Sequence, residues 1–403
     1  MIAATNHRTL LMIFLACFFA SGSAATAGEP LKVYVLAGQS NMQGHAHVRT
    51  IEHIGMDPDT VPILNQIRTA DGVDRVFPNI RISALGIGDE ERHGALTTGY
   101  GAVGGGPKIG PELTFGIDMQ QRVQQPILII KTAWGGKSLH TDFRSPSAGP
   151  YELTEQQLQQ LQKQGKDLKQ VRQERSDATG VYYRLVLQHV QHVLHNIQRV
   201  YPDYDQSSGY ELSGFVWFQG WNDMVDQGVY PDRANPGGYD RYSDALTHFI
   251  RDVRQDLAAP NLPFVIGVMG AGGPVEKYGP DKQRYAGTHA EFRKAMAAPA
   301  ALPEFQGNVT AVLTEQAWDL QLTELSDRWD KVKAKSRSLN NQKELTAEQR
   351  TAQVDELTST LFTPEELTIL QTGVSNAEYH YLGSAKIMAK IGKAFAAALP
   401  AAD

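Results

Sequence analysis

Six short runs of β-branched and other apolar residues recur along the chain, each leading into a turn and a helix-prone stretch. They are Lys32–Leu36 (KVYVL), Ile80–Ala84 (IRISA), Ile127–Thr132 (ILIIKT), Gly214–Phe218 (GFVWF), Pro263–Met269 (PFVIGVM) and Val309–Leu313 (VTAVL). Their apolar positions run nearly without alternation, as in strands of a parallel sheet covered on both faces. Between them the period changes to that of a helix. Tyr242, Leu246, Phe249, Ile250, Val253 and Leu257 fall on one face, and so do Leu187, Val190, Leu194 and Ile197. This β-α-β-α order predicts an open, doubly wound α/β fold, with chemistry at the carboxyl ends of the strands. Two polar, helix-prone stretches break the rhythm: residues 151–178, rich in Gln, and residues 321–370, including Lys331 to Leu357. They predict solvated helical insertions in a single domain spanning 28–403.

Composition changes this picture in two ways. With 38 Lys+Arg against 44 Asp+Glu and no basic block, a nucleic-acid partner is not expected. The start of the chain reads as an export signal: Arg8, the apolar run Leu10 to Ala20, and Ala25-Thr26-Ala27 as a cleavage site before Gly28. The apolar run is short for a membrane span, so no membrane association is expected once it is removed and the protein should be secreted or periplasmic. The only cysteine, Cys17, lies inside this signal, so the mature chain has no disulfide, zinc-thiolate site or cysteine nucleophile.

Candidate chemistry sits at three strand ends. After KVYVL comes Gly38-Gln39-Ser40-Asn41-Met42, where a glycine lets the backbone turn sharply and a serine can present its hydroxyl at the sheet edge. Met42 excludes the G-x-S-x-G elbow of α/β-hydrolases. After ILIIKT comes Ala133-Trp134-Gly135-Gly136-Lys137-Ser138. A glycine here can offer an unobstructed N–H to a developing oxyanion. A phosphate loop is disfavoured, because Thr132 stands where its first glycine belongs. After GFVWF comes Gln219-Gly220-Trp221-Asn222-Asp223, and near the C-terminus Ser375-Asn376-Ala377-Glu378-Tyr379-His380-Tyr381 precedes a closing helix, Gly383 to Leu399. His189, His192 and His195 are three residues apart, but each such step turns about 300° around a helix, so they are expected to diverge toward solvent and not to bind metal.

G-Q-S-N-M, the glycine ahead of Lys137-Ser138, and G-x-N-D resemble the first three blocks of the SGNH hydrolases, in the branch of sialate O-acetylesterases and acetylxylan esterases. Pro107 to Phe115 (PKIGPELTF) resembles that family's G-P-E-x-x-F segment, with Glu112 as an early-turn acid. The resemblance implies a flavodoxin-like, three-layer fold with a central parallel sheet and no cofactor. It implies Ser40 as nucleophile, His380 as base, and an oxyanion hole from the N–H groups of Ser40 and Gly136 and the amide of Asn222, with Gln219 as helper. The family's D-x-x-H has Ala377 at its Asp position. A backbone carbonyl, Asn376, Glu378, or a distant carboxylate such as Asp142 or Asp319 is then left to orient the imidazole. Trp134 and Trp221 are candidate platforms for a sugar ring. The function so implied is removal of acetyl groups from carbohydrate. A lipase or thioesterase on another acyl ester and a carbohydrate-binding protein without activity are the alternatives.

Overall fold

The computed structural model describes residues 28–401 except Ile87 and Asp89; the expected signal at 1–27, with Cys17 and the cleavage point after Ala27, lies outside the described residues. The strands are β1 (Leu31–Gly38), β2 (Ala46–His47), β3 (Phe77–Gly86), β4 (Arg92–Leu96), β5 (Lys108–Ile109), β6 (Ile127–Ala133), β7 (Tyr210–Phe218), β8 (Phe264–Val268) and β9 (Val309–Leu313). All six apolar runs are strands. Seven strands form one sheet in the order β4-β3-β6-β1-β7-β8-β9, parallel throughout except where β4 folds back on β3. Without the added β3–β4 hairpin, the remaining five strands follow the flavodoxin-like order 2-1-3-4-5. The edge strand β4 (RHGAL) has no apolar run, which is why the sequence pattern passed over it.

The helices are α1 (Ser40–Gln43), α2 (Val61–Ile67), α3 (Glu112–Val123), α4 (Glu155–Lys163), α5 (Leu168–Ala178), α6 (Val181–His195), α7 (Trp221–Val225), α8 (Asp240–Asp256), α9 (Gln283–Ala297), α10 (Leu320–Asn340), α11 (Ala347–Leu361), α12 (Pro364–Gly373) and α13 (Ala385–Ala397). Side chains that alternate along a strand split the sheet into two packed faces. On β7, Phe215 and Trp217 pack against Phe249 of α8, while Phe218 meets Phe395 of α13 edge-on. Tyr34 of β1 packs likewise on Phe115 of α3. Helices thus cover both faces, and every residue of β6 and β8 is buried.

Both polar stretches are helical. Helix α5 buries no residue and α4 buries only Gln157, which closes a capping box with Thr154. Helices α10 to α12 have a small core of their own in Leu325, Val332, Phe362 and Leu370. Among the described residues, no helix is long and apolar enough to cross a membrane.

His189 departs from the expected solvent-facing position. It is buried with Nε2 2.8 Å from Ser83 Oγ, and burial lowers its pKa to about 4. The apolar face of α6 is wide enough to take in position 189, while His192 and His195 are exposed.

Candidate active site

Strand order brings three motif loops side by side, because β1 lies between β6 and β7 and all three point the same way. At the end of β1 the backbone passes so close to β7 that a Cβ on Gly38 would stand 2.1 Å from Phe218 O. Only glycine fits there, and the tight turn starts α1 at Ser40. The Ser40 N–H is a first-turn donor without an intrahelical partner, and the residue is only 8% exposed. Trp134 N–H donates to Gly38 O (3.1 Å), tying the second loop to the first. Gly136 follows in a left-handed turn (φ 75°), exposed, with nothing within 4 Å of where a Cβ would sit.

Asn222 is oriented through Gln39. Gly220 N–H donates to Gln39 Oε1 (2.9 Å), which fixes Gln39 Nε2 as the atom facing Asn222. Gln39 Nε2 then donates to Asn222 Oδ1 at 3.1 Å, leaving the two Nδ2 donors for a ligand. Gln219 is committed elsewhere: Nε2 donates to Lys137 O (3.0 Å) and Asp223 Oδ2 (2.6 Å), and its Oε1 accepts from Tyr242 OH (3.2 Å). Asp223 is the hub of that network. Buried, it also accepts from the N–H groups of Leu139 (2.8 Å) and His140 (3.0 Å), so one carboxylate joins the β6 loop to the β7 loop. Burial raises its pKa, while the charge of His140 and the hydrogen bonds pull the other way.

A similar chain of reasoning fixes the state of His380. Ala377 N–H donates to Asn376 Oδ1 (2.8 Å), which identifies that atom as the oxygen, and the same oxygen lies 3.1 Å from His380 Nδ1. Nδ1 must therefore carry the proton, and a neutral ring has its lone pair on Nε2. Burial lowers this imidazole's pKa to about 4. Asn41 Nδ2 donates to Tyr379 O at 3.1 Å, so the neighbours of Ser40 and His380 are hydrogen-bonded to each other. After His380, Tyr381 and Leu382 both have positive φ (53° and 59°), and Leu382 O accepts from Ser375 and Asn376 N–H (2.9 and 3.0 Å) to hold the turn.

Asn376 thus faces the imidazole, and the carboxylates considered for that place bond elsewhere. Asp142 accepts from Ser138 N–H and Oγ (both 2.8 Å). Asp319 caps α10 at Leu322 N–H (3.1 Å) and pairs with Lys386 (3.0 Å), and Glu378 pairs with Lys282 (3.0 Å). Trp134 does not qualify as a platform: it is 3% exposed and packed between Phe143 and Tyr182. Trp221 is half-buried, borders a cavity and meets Tyr379 at 5.4 Å.

Two features escaped the sequence reading. His45 stacks face to face on His380, with ring centroids 3.9 Å apart and planes 4° from parallel, and burial with the neighbouring imidazole lowers its pKa to about 3. Beneath the Ser40 turn, buried Lys131 donates to Gln43 O (2.9 Å), Tyr100 O (3.0 Å) and Glu112 Oε2 (2.7 Å). Glu112 is the early-turn acid of α3, as expected, and here it also neutralises a lysine hidden inside an apolar strand. Among the described residues no group of three or more His, Cys, Asp or Glu is arranged to hold a metal ion.

A sheet of this order, with serine, glycine and asparagine turns on three adjacent strand ends, defines an SGNH-type α/β protein. The chain belongs to the family described as carbohydrate esterase, sialic acid-specific acetylesterase, whose sequence profile matches residues 30–181 and 188–326. The segment carrying His380 lies beyond that match. No curated protein matches the chain. Three solved structures are similar to it at low identity. A protein from Arabidopsis thaliana is 16% identical, with 71% of this chain and 86% of that one covered and a TM-score of 0.38. A carbohydrate acetylesterase from Xanthomonas citri is 14% identical, with 71% and 51% covered and a TM-score of 0.37. NanS is 16% identical, with 70% and 78% covered and a TM-score of 0.36.

Proposed function

We propose that this protein is an exported carbohydrate O-acetylesterase with Ser40 as nucleophile and His380 as general base. The observation that carries the reading is the hydrogen-bond chain from Ala377 N–H through Asn376 to His380, which leaves a basic Nε2 on the loop bonded to the nucleophile turn. Export is proposed from the signal-like residues 1–27.

His380 Nε2 takes the Ser40 hydroxyl proton as Oγ bonds to the acetyl carbon. The oxyanion is held by the N–H groups of Ser40 and Gly136 and by Asn222 Nδ2, and Gln39 acts as the positioning residue for Asn222. As the carbon–oxygen bond to the sugar breaks, His380 returns the proton to the sugar oxygen. Water, deprotonated by His380, then releases acetate and regenerates Ser40. Asn376 does the part of the usual carboxylate that concerns orientation and tautomer, without its charge.

The deciding measurement is acetate release from a panel of acetylated polysaccharides, comparing the mature protein with Ser40→Ala. Release that vanishes with the serine supports the reading. If only an activated aryl acetate is cleaved, the Ser–His pair stands and the carbohydrate assignment falls. No cleavage of either leaves a carbohydrate-binding protein, whose glycan binding would survive Ser40→Ala.

A further inference from the structure

Two open cavities flank the loop that carries His380. The first, about 500 Å³, is walled by Trp221, Tyr285 and Tyr379 and begins beside the neighbours of Asn222 and His380. The second, about 650 Å³, lies between the same loop and helices α10 and α12, with Trp329, Ser326 and Asn376 in its lining. Lys282 and Glu378, paired at 3.0 Å, line both, so a single ion pair is the wall they share.

We propose that the two cavities form one trough for a glycan chain, making the substrate an oligosaccharide or polysaccharide rather than a free sugar. This rests on the acetylesterase reading above. The leaving alcohol must take its proton from His380, so the ester-bearing ring departs on the His380 side of Ser40. Trp221 and Tyr379, whose rings are 5.4 Å apart, stand on that side and put the ring in the first cavity. The chain then crosses the Lys282–Glu378 pair into the second cavity, where half-buried Trp329 offers an aromatic surface.

The charges lining the second cavity balance in number. Lys282 is matched by Glu378 and Asp327 (3.5 Å), Lys333 by Asp330 (2.8 Å), and Arg49 donates to Gln371 O and Val374 O. Three cations, Arg49, Lys282 and Lys333, face three carboxylates, Asp327, Asp330 and Glu378, so no net charge there selects a charged ligand, and aromatic carbon between polar groups suits a neutral polyhydroxyl ring. Trp329 and helices α11 and α12 lie past residue 326, where the family match ends.

The test measures kcat/KM on acetylated oligosaccharides of one glycan, from the monosaccharide upward, with an aryl acetate alongside. Variants are Trp329→Ala, and Ser326→Trp to fill the second cavity without touching the small core of α10 to α12. The wild type should gain efficiency with chain length, and both variants should forfeit that gain by roughly tenfold, the loss of one good contact, with monosaccharide and aryl acetate rates unchanged. A flat length dependence in the wild type, or a gain that survives in both folded variants, overturns the trough and leaves the esterase standing. Absence of any Ser40-dependent hydrolysis overturns the esterase reading and the trough together.

Discussion

At the scale of single residues, the site is organised by backbone N–H groups that settle which way two amides point. Gly220 N–H fixes Gln39 and through it Asn222; Ala377 N–H fixes Asn376 and through it His380. Asn222→Ala should lower turnover about a hundredfold to a thousandfold, the usual cost of one oxyanion donor, with little change in substrate binding; steady-state kinetics that show only weaker binding would remove it from the hole. With His380 lowered to about 4, the acid limb of kcat/KM should fall near pH 4, since the base works deprotonated and fails as pH drops through that value. Asn376→Asp places a negative charge on Nδ1–H and should move that limb upward by about one to three pH units. A pH–rate profile that does not move would place the titrating base elsewhere. Ser40, Gly136 and Asn222 were legible as motif positions. The Asn376 contact was legible only as one of several choices, and His45 not at all, because stacking between residues 45 and 380 leaves no mark on either stretch of sequence.

At the scale of elements, the geometry of the candidate site depends on how rigidly the loops after β1, β6 and β7 are joined. Asp223 does this for two of them by accepting from Leu139, His140, Gln219 and Tyr230. Asp223→Ala strands buried donors and should cost about 3 kcal/mol or more, at about 1–3 kcal/mol per orphaned group, and turnover should fall as well. Urea denaturation and steady-state kinetics read both effects; unchanged stability would mean that the loops hold without the clamp. The strands themselves were legible because buried parallel strands read as apolar runs. Strand β4, a polar edge, and the two-residue strands β2 and β5 were not, whereas β6 was read as a strand with Lys131 in its middle, tolerated because Glu112 from α3 meets it.

At the scale of the whole molecule, burial of histidine sets an acid limit. His45 is lowered to about 3 and His189, His289 and His380 to about 4, in each case chiefly by burial. Their folded values lie below the unfolded value of about 6.5, so the folded state resists taking up their protons. The stability they contribute is complete above about pH 6.5 and is lost as pH falls from there through about 4. His47 and His53 are lowered by burial as well, and buried Asp223, raised by the same effect, works in the opposite direction. The melting temperature should therefore fall steadily between pH 6.5 and 4.5 in calorimetry; a flat profile would show these imidazoles to be less buried than they stand here.

The sequence by itself determined the α/β class, the six apolar strands and the three loops that carry candidate chemistry. Each of these is a local pattern: an apolar run, a glycine where the chain must turn, a polar residue just beyond a strand. Tertiary structure decided what each motif side chain touches. It buried Trp134 behind β6, turned His189 inward against Ser83, gave His380 to Asn376 in place of a distant carboxylate, and set a second cavity against the first. The physical reason is common to all four. A hydrogen bond, a ring stack or a shared cavity wall depends on the arrangement of residues far apart along the chain, and strand order, not spacing in the sequence, brings them together.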